Sequence, residues 1–263
     1  MGQETATREH SYQKESKDKE HVVKPPQPKA PETSESASRP GRSDTVLFRV
    51  HRTGDITSFL EGLTEECREN YLQELRHVRE ALDELKETEA SPADKGLLSA
   101  NVSFRFVTPG NQEIFAVLRS GMKADEDFNS KRDVCLVSKF DAKNWCAEYM
   151  SEGDEAMPTV DTPIHWACYK SNLRYKWPEA PNAIIHGHAL HTEALASKLS
   201  LPITAQPSKG AAPIDAQALM GLFDAYPYPQ HQVFIQRDHG FLLLAKDMKH
   251  ALEDFNKTIV ANV

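Results

Sequence analysis

The sequence predicts an α/β fold, a sheet covered by helices and preceded by a segment of different character. Three observations carry this reading. A long stretch with helical periodicity comes first, apolar strand-like segments then alternate with further helical ones, and residues 1–43 have a composition unlike the rest. Strands interleaved with helices pack as a sheet with helices on its faces, because each apolar face must be buried against another element. A length of 263 residues suits one domain with something left over.

The segment "QKESKDKEHVVKPPQPKAPETSESASRPGRSD" is rich in Lys, Glu, Pro and Ser and nearly free of aromatics. Such a composition cannot bury enough apolar surface to offset chain entropy. Residues 1–43 are therefore expected to be a disordered tail, either a passive extension or a docking arm, and residues 44–263 the folded domain. From Thr45, "TVLFRVHR" alternates like a short strand. In "ITSFLEGLTEECRENYLQELRHVREALDELKE", Leu60, Leu63, Tyr71, Leu72, Leu75, Val78, Leu82 and Leu85 recur at helical spacing, as one broken helix or two consecutive ones. "SPADKG" ends this region with turn chemistry.

"ANVSFRFV", "EIFAVLRS" and "DVCLVSKF" read as strands separated by turn residues. "TPIHWACYKSN" reads as a short helix with Pro163 early in it, where a missing N–H does no harm. "NAIIHGH" is an apolar strand running into histidines, and "ALHTEALASKLS" is helical. "HQVFIQRDHG" and "FLLLAKD" are two strands around a tight turn, and "MKHALEDFNKTIV" is a closing helix.

Composition excludes some functions. The net charge of −8 argues against non-specific nucleic-acid binding, which needs a basic face. No stretch approaches the ~20 apolar residues that span a bilayer. No apolar run follows Met1, so no signal peptide is expected. Cys67, Cys135, Cys146 and Cys168 lack paired spacing and read as free thiols in a reducing compartment, with the cytoplasm as the expected location.

The chemistry concentrates in "IIHGHALH". A strand sends residues i and i+2 to one face, so His186 and His188 can point at one ion. Neutral imidazole suits zinc and similar metals, and a catalytic zinc site takes three protein ligands and keeps one position open. His239, before Gly240 in the later turn, has no obvious packing role; a plain surface histidine is the alternative.

Taken together these segments resemble the class II aldolase and adducin family, which includes sugar-phosphate aldolases, ribulose-phosphate 4-epimerases and related dehydratases. The family pattern is a strand ending in H-x-H and a later H-G turn followed by a short strand, Gly-Lys and an acidic helix; here Ala245 stands in the glycine's place. Upstream, "LLSANVSFRF" resembles the G-N-x-S-x-R segment, "AVLRSGMKADED" the T-P-S-G loop, and "MPTVDTPIHWACY" the P-S-S-[DE]-T-P-x-H-x-x-Y segment. The likeness runs from about Tyr71 to the end of the chain, and the order of the segments is its specific part.

The resemblance implies a three-layer α/β/α fold with a central mixed, mainly antiparallel sheet. It places His186, His188 and His239 on the metal ligands, with a divalent cation, zinc first, as cofactor; manganese, iron and cobalt stay open. It makes Asp161 the acid/base group, with a helix N-cap as that residue's alternative role. It assigns Asn101, Ser120, Gly121 and Thr159 to substrate and phosphate binding. Ala100 and Val160 depart from the pattern, and a valine cannot donate a hydrogen bond, so a different anion or an unphosphorylated substrate stays open. His191 reads as a helix-start residue at the site edge, His165 as a satisfied buried histidine, and Tyr226 and Tyr228 as packing. Family members often complete their site with a C-terminal tail from a neighbouring subunit; the chain ends at Val263, so no such tail is expected.

The implied function is a metal-dependent aldolase-type lyase acting on a small hydroxy-carbonyl, sugar or sugar-phosphate-like substrate through a metal-stabilised enediolate. An epimerase or dehydratase on the same site, and a non-catalytic adducin-like interaction module, are the alternatives. The resemblance also implies a homo-oligomer, a tetramer by analogy, with a small molecule rather than nucleic acid or membrane as partner.

Overall fold

A computed structural model of the chain describes residues 48–262 except 89, 92, 93 and 209–211. The expected tail, residues 1–43, lies outside the described residues, as does the start of the strand expected from Thr45. Strand β1 runs Arg49–Gly54, and helices α1 (Ile56–Glu61) and α2 (Glu65–Glu87) follow. The helical stretch is thus two helices. Asp55 caps the first through its side chain, Gly62 closes it, and Thr64 caps the second by accepting the N–H of Cys67.

The next strands are β2 (Ala100–Val107), β3 (Glu113–Leu118), β4 (Val134–Asp141) and β5 (Cys146–Ser151). Helix α3 (Thr162–Tyr175) leads to β6 (Ala183–Gly187), and helices α4 (Glu193–Lys198) and α5 (Pro213–Met220) precede the hairpin β7 (Val233–Gln236) and β8 (Gly240–Ala245). The closing helix α6 (Met248–Asp254) widens into a π-helical turn at Phe255–Ile259 and ends in a 3₁₀ turn at Val260–Asn262. Two elements escape the pattern reading. In β5 the buried Ala147, Tyr149 and Ser151 alternate with the half-buried Cys146, Glu148 and Met150 after a left-handed Trp145, and α5 has no helix signal in its sequence other than Pro213.

The eight strands form one sheet in the order β1-β5-β4-β3-β2-β6-β8-β7. The β1–β5 pair is parallel and every other pair antiparallel, so the sheet is mixed and mainly antiparallel as expected. Alternation along the strands feeds two cores. One face packs Val102, Phe104, Ile185, Phe241 and Leu243 against α1, α2 and α6. The other packs Phe115, Val137, Ile184, Leu242 and Leu244 against α3 and α5. Helices therefore cover both faces, the three-layer arrangement.

Strand β6 sits between β2 and β8 and is buried along its whole length. Its register pairs Asn101 with His186 and His186 with Leu242, which places Asn101 and His186 side by side on the α3 face. At its end the backbones crowd. A Cβ on Gly187 would lie 2.7 Å from Ala90 O and 2.7 Å from Phe241 Cε1. A Cβ on Gly240 would collide with the Gly187 carbonyl oxygen and lie 2.9 Å from His188 Cα. Two glycines thus let the β7–β8 turn close onto the end of β6. Gly240→Ala is expected to destabilise the fold by about 1–3 kcal/mol through overpacking against backbone, measured by urea unfolding; an unchanged midpoint would contradict the close approach.

Candidate active site

That close approach brings His239 up to His186 and His188, although it lies 53 residues beyond His186 in the chain. His186 ends β6 inside the sheet, His188 lies just past it, and His239 projects from the β7–β8 turn. Their ligand-capable nitrogens all lie within 4.8 Å of one another, and they form the one such cluster of three His, Cys, Asp or Glu among the described residues. The turn is held from two sides. Asp238 is left-handed with φ 57°, a conformation Asp tolerates, and its N–H donates to His191 O at 2.9 Å. The His239 N–H donates to Gln236 O at 3.0 Å.

The hydrogen bonding fixes which nitrogen the His186 ring offers. His186 Nδ1 lies 2.7 Å from Phe241 O, an acceptor only, so Nδ1 carries the proton and Nε2 keeps its lone pair. That Nε2 sits 3.2 Å from His239 Nε2. A carbonyl partner on the far nitrogen is the usual way a protein orients a ligating imidazole. Burial, reinforced by the neighbouring His239 and His188 rings, holds His186 well below the ordinary histidine pKa. Burial and His239 lower His188 as well. Neutral rings are the form that binds a cation.

Asp161 completes the group. It occupies the residue before α3, but its side chain makes no capping bond there, so the N-cap role expected as an alternative is not the one it plays. Its backbone carbonyl accepts from Ile164 and His165, and its carboxylate turns to the sheet. Oδ2 accepts from Asn101 Nδ2 at 2.7 Å and lies 3.8 Å from His186 Nε2. The carboxylate is 10% exposed, reachable from solvent yet fixed.

The contact repeats down the helix. Asp161, His165 and Tyr169 stand one turn apart on the inner face of α3 and meet Asn101 and Ser103, which share a face of β2. Ser103 Oγ lies 2.6 Å from His165 Nδ1 and 2.6 Å from Tyr169 Oη. Only one wiring leaves a single orphan: Tyr169 donates to Ser103, Ser103 donates to His165 Nδ1, and the unpartnered atom is the buried His165 Nε2–H. His165 is thus buried outside the cluster, as expected, but satisfied at one nitrogen only.

The remaining expected residues line the neighbouring loops. Thr159 is buried two residues before Asp161, and its N–H donates to Leu118 O at 3.0 Å. Ser120 and Gly121 lie in the turn after β3, with Gly121 exposed and left-handed at φ 72°. An isolated bridge between Arg119 and Pro158 joins the two loops. His191 is exposed before the N-cap Thr192, and its Nδ1 bonds His188 O at 3.0 Å, which places it at the edge rather than in the cluster. Tyr228 packs on Trp177 and Tyr226 on His231, neither against His186, His188 or His239.

Sequence reading missed Arg119. Its guanidinium bonds the fully buried Asp133 at 2.7 Å and Glu126 at 2.8 Å, and Nη1 reaches the carbonyls of Ser120 and Gly121. Arg119 thereby clamps the turn from below. The signal would have been the pairing of Arg119 with Asp133, which only the β3–β4 ladder reveals.

The family model described as class II aldolase and adducin N-terminal domain matches residues 95–259. Solved structures with a similar fold include an L-fuculose 1-phosphate aldolase, 16% identical over 69% of this chain and 79% of that one with a TM-score of 0.48. Another is a sugar-phosphate aldolase from Thermotoga maritima, 14% identical over 73% and 97% with a TM-score of 0.51. A third is L-fuculose-1-phosphate aldolase from Thermus thermophilus, 15% identical over 73% and 90% with a TM-score of 0.46. At such identities the likeness is one of fold. A search of curated proteins gives no match.

His165 provides a pH test. Burial, then the nearby His186, push its pKa down to about 3 from 6.5. Between those values the unfolded chain binds a proton that the folded chain refuses, so stability is retained above about pH 6.5 and falls as pH drops toward 3, by about 1.4 kcal/mol per pH unit from this group. Urea midpoints between pH 7 and 4.5 should fall more steeply for the wild type than for His165→Gln. Parallel curves would contradict a neutral buried His165.

Proposed function

The chain belongs to the class II aldolase and adducin family, and from that premise we propose that it is a metal-dependent aldolase-type lyase acting on a small hydroxy-carbonyl substrate. The observation that carries the proposal is the convergence of His186, His188 and His239 beside the Asp161 carboxylate. The donor set fits a divalent cation. Three imidazoles converge, one of them oriented by a backbone carbonyl, and two Nε2 atoms face each other at 3.2 Å. Zinc is the first choice for such a set, with an open position left for a ligand. When bound, the cation supplies Lewis-acid polarisation of a carbonyl oxygen.

The rest of the chemistry falls to the chain. Asp161 is the acid/base group: its carboxylate is freed from helix capping, held by Asn101 and placed next to the histidines, where it can take the proton of a substrate hydroxyl as the neighbouring C–C bond breaks and return it to the carbon that bond releases. Asn101 serves as the carrier of Asp161. Thr159 and the Ser120–Gly121 turn border the substrate on the far side. Embedding the site at the end of a fully buried strand limits the reorganisation required of these groups.

An epimerase would use the same residues without releasing the fragments. A non-catalytic module has no use for an oriented histidine set beside a largely buried carboxylate. Residues 44–263 as the catalytic domain, a cytoplasmic location and a homo-oligomeric state are part of the same proposal. No helix among the described residues is long and apolar enough to cross a membrane.

Two variants separate the roles. His239→Ala is expected to lose bound zinc by elemental analysis, whereas Asp161→Asn keeps it. With the zinc-loaded protein and a panel of ketoses and ketose phosphates, aldehyde release supports the lyase, and a new epimer without aldehyde supports the epimerase. Asp161→Asn should lower whichever rate is found by about 10²–10⁴-fold. Protein that holds no metal, is not stabilised by added zinc and turns over no substrate would favour the interaction module.

A further inference from the structure

Helix α3 has a second working face. Asp161, His165 and Tyr169 point at β2, where they meet Asn101 and Ser103. Pro163, Trp166, Lys170 and Arg174 recur on the opposite side of the same helix. That side does not close on its neighbour. Ala216, Gln217 and Met220 form the facing stripe of α5, and a cleft of about 340 Å³ lies between the two helices. Small-molecule sites occupy clefts of roughly 300–1,000 Å³.

One wall of the cleft is aromatic. The turn between β4 and β5 contributes Phe140 and Trp145 to the lining. Between ring centroids, Phe140 lies 5.2 Å from Trp145 and 6.1 Å from Trp166, and Trp166 lies 5.5 Å from Phe115. Phe140, Trp166 and Met220 are nevertheless only half-buried, and all three line the cleft. An aromatic ring suits such a wall, because ring pairs gain more than the area they bury.

The charged groups of the cleft are of one sign. Among the described residues no Asp or Glu lines it, whereas Lys170 and Arg174 do, in a chain of net charge −8. The Lys170 ammonium sits 5.1 Å from the centre of the Trp166 ring. Its partner Glu113 also binds Arg105 at 2.9 Å, so one carboxylate is divided between two cations. Arg174 is exposed, lies over the Tyr175 ring at 5.5 Å, and has no carboxylate partner among the described residues. A guanidinium in that state pairs with a carboxylate through two parallel N–H donors. Along α3, Trp166 and Arg174 stand about 12 Å apart, a span that a two-ring acid and its hydrogen bond cover.

We propose that this cleft is a second binding site, separate from the histidine–Asp161 site, for a small aromatic carboxylate. The rings seat against Trp166, Phe140 and Met220, and the carboxylate meets Arg174 and Lys170. The ligand then lies on the back of the helix that positions Asp161.

Calorimetry of the full chain tests this with naphthoate and its neutral isostere naphthamide, in EDTA so that no metal at the histidines holds the carboxylate. One naphthoate per chain is expected, bound about tenfold tighter than the amide. Arg174→Gln should remove most of that difference and leave the amide unchanged. Gln217→Trp, which fills the cleft from an exposed position, should abolish binding of both probes, and both variants should keep the wild-type urea midpoint. Equal binding of the two probes overturns the carboxylate, and binding that neither variant changes overturns the location. Binding of neither probe overturns the site; if Gln217→Trp then also sediments as a smaller species than the wild type, a second copy of the chain covers the cleft instead.

Discussion

The site depends on two backbones being able to touch. The end of β6 and the start of β8 approach so closely that a methyl group on either Gly187 or Gly240 would meet carbonyl oxygen, aromatic ring or Cα. Without that contact the β7–β8 turn would stand off, and His239 would sit in solvent with nothing to face. With it, one sheet delivers His186 from within a buried strand and His239 from a turn, separated in sequence by two helices and strand β7. Packing of this kind tolerates little, because protein interiors are dense and a displaced backbone moves every side chain attached to it.

The second constraint is the seam between α3 and β2. Three polar side chains one helical turn apart meet a serine and an asparagine on one strand face, in a region otherwise apolar. Buried polar groups of this sort cost stability unless paired, and they fix register when they are. The seam sets the rotation of α3, and the rotation sets where the Asp161 carboxylate points. Beyond it, the Asp133–Arg119 pair secures the turn on the other side of the site. The histidines, the carboxylate and the loop are therefore each held by a different element of the same sheet.

Much of this was legible in the sequence where a side chain announces its environment. The long helices showed in the spacing of Tyr71, Leu75, Val78, Leu82 and Leu85, all of which are buried. The core strands showed as apolar runs, and the histidine spacing together with the H-G turn located the cluster. The glycines mattered for close approach rather than for unusual dihedrals, which a sequence does not distinguish. Strand β5 and helix α5 were hidden because their stability comes from partners, β1 and β4 in one case and α3 in the other. The capping reading of Asp161 was reasonable from its position before Thr162-Pro163 and failed because Asn101, sixty residues earlier in the chain, competes for the carboxylate. Arg119 could not be read as a clamp because its partners, Glu126 and Asp133, come from the loop that leads to β4 and are brought back to it only by the β3–β4 pairing.

In the proposed function the three imidazoles form one coordination set. X-ray absorption of the zinc-loaded protein tests it directly. A first shell with three histidine nitrogens at about 2.0–2.1 Å plus one oxygen ligand is expected. A shell made of carboxylate and water oxygens, or one containing cysteine sulfur at about 2.3 Å, would contradict it.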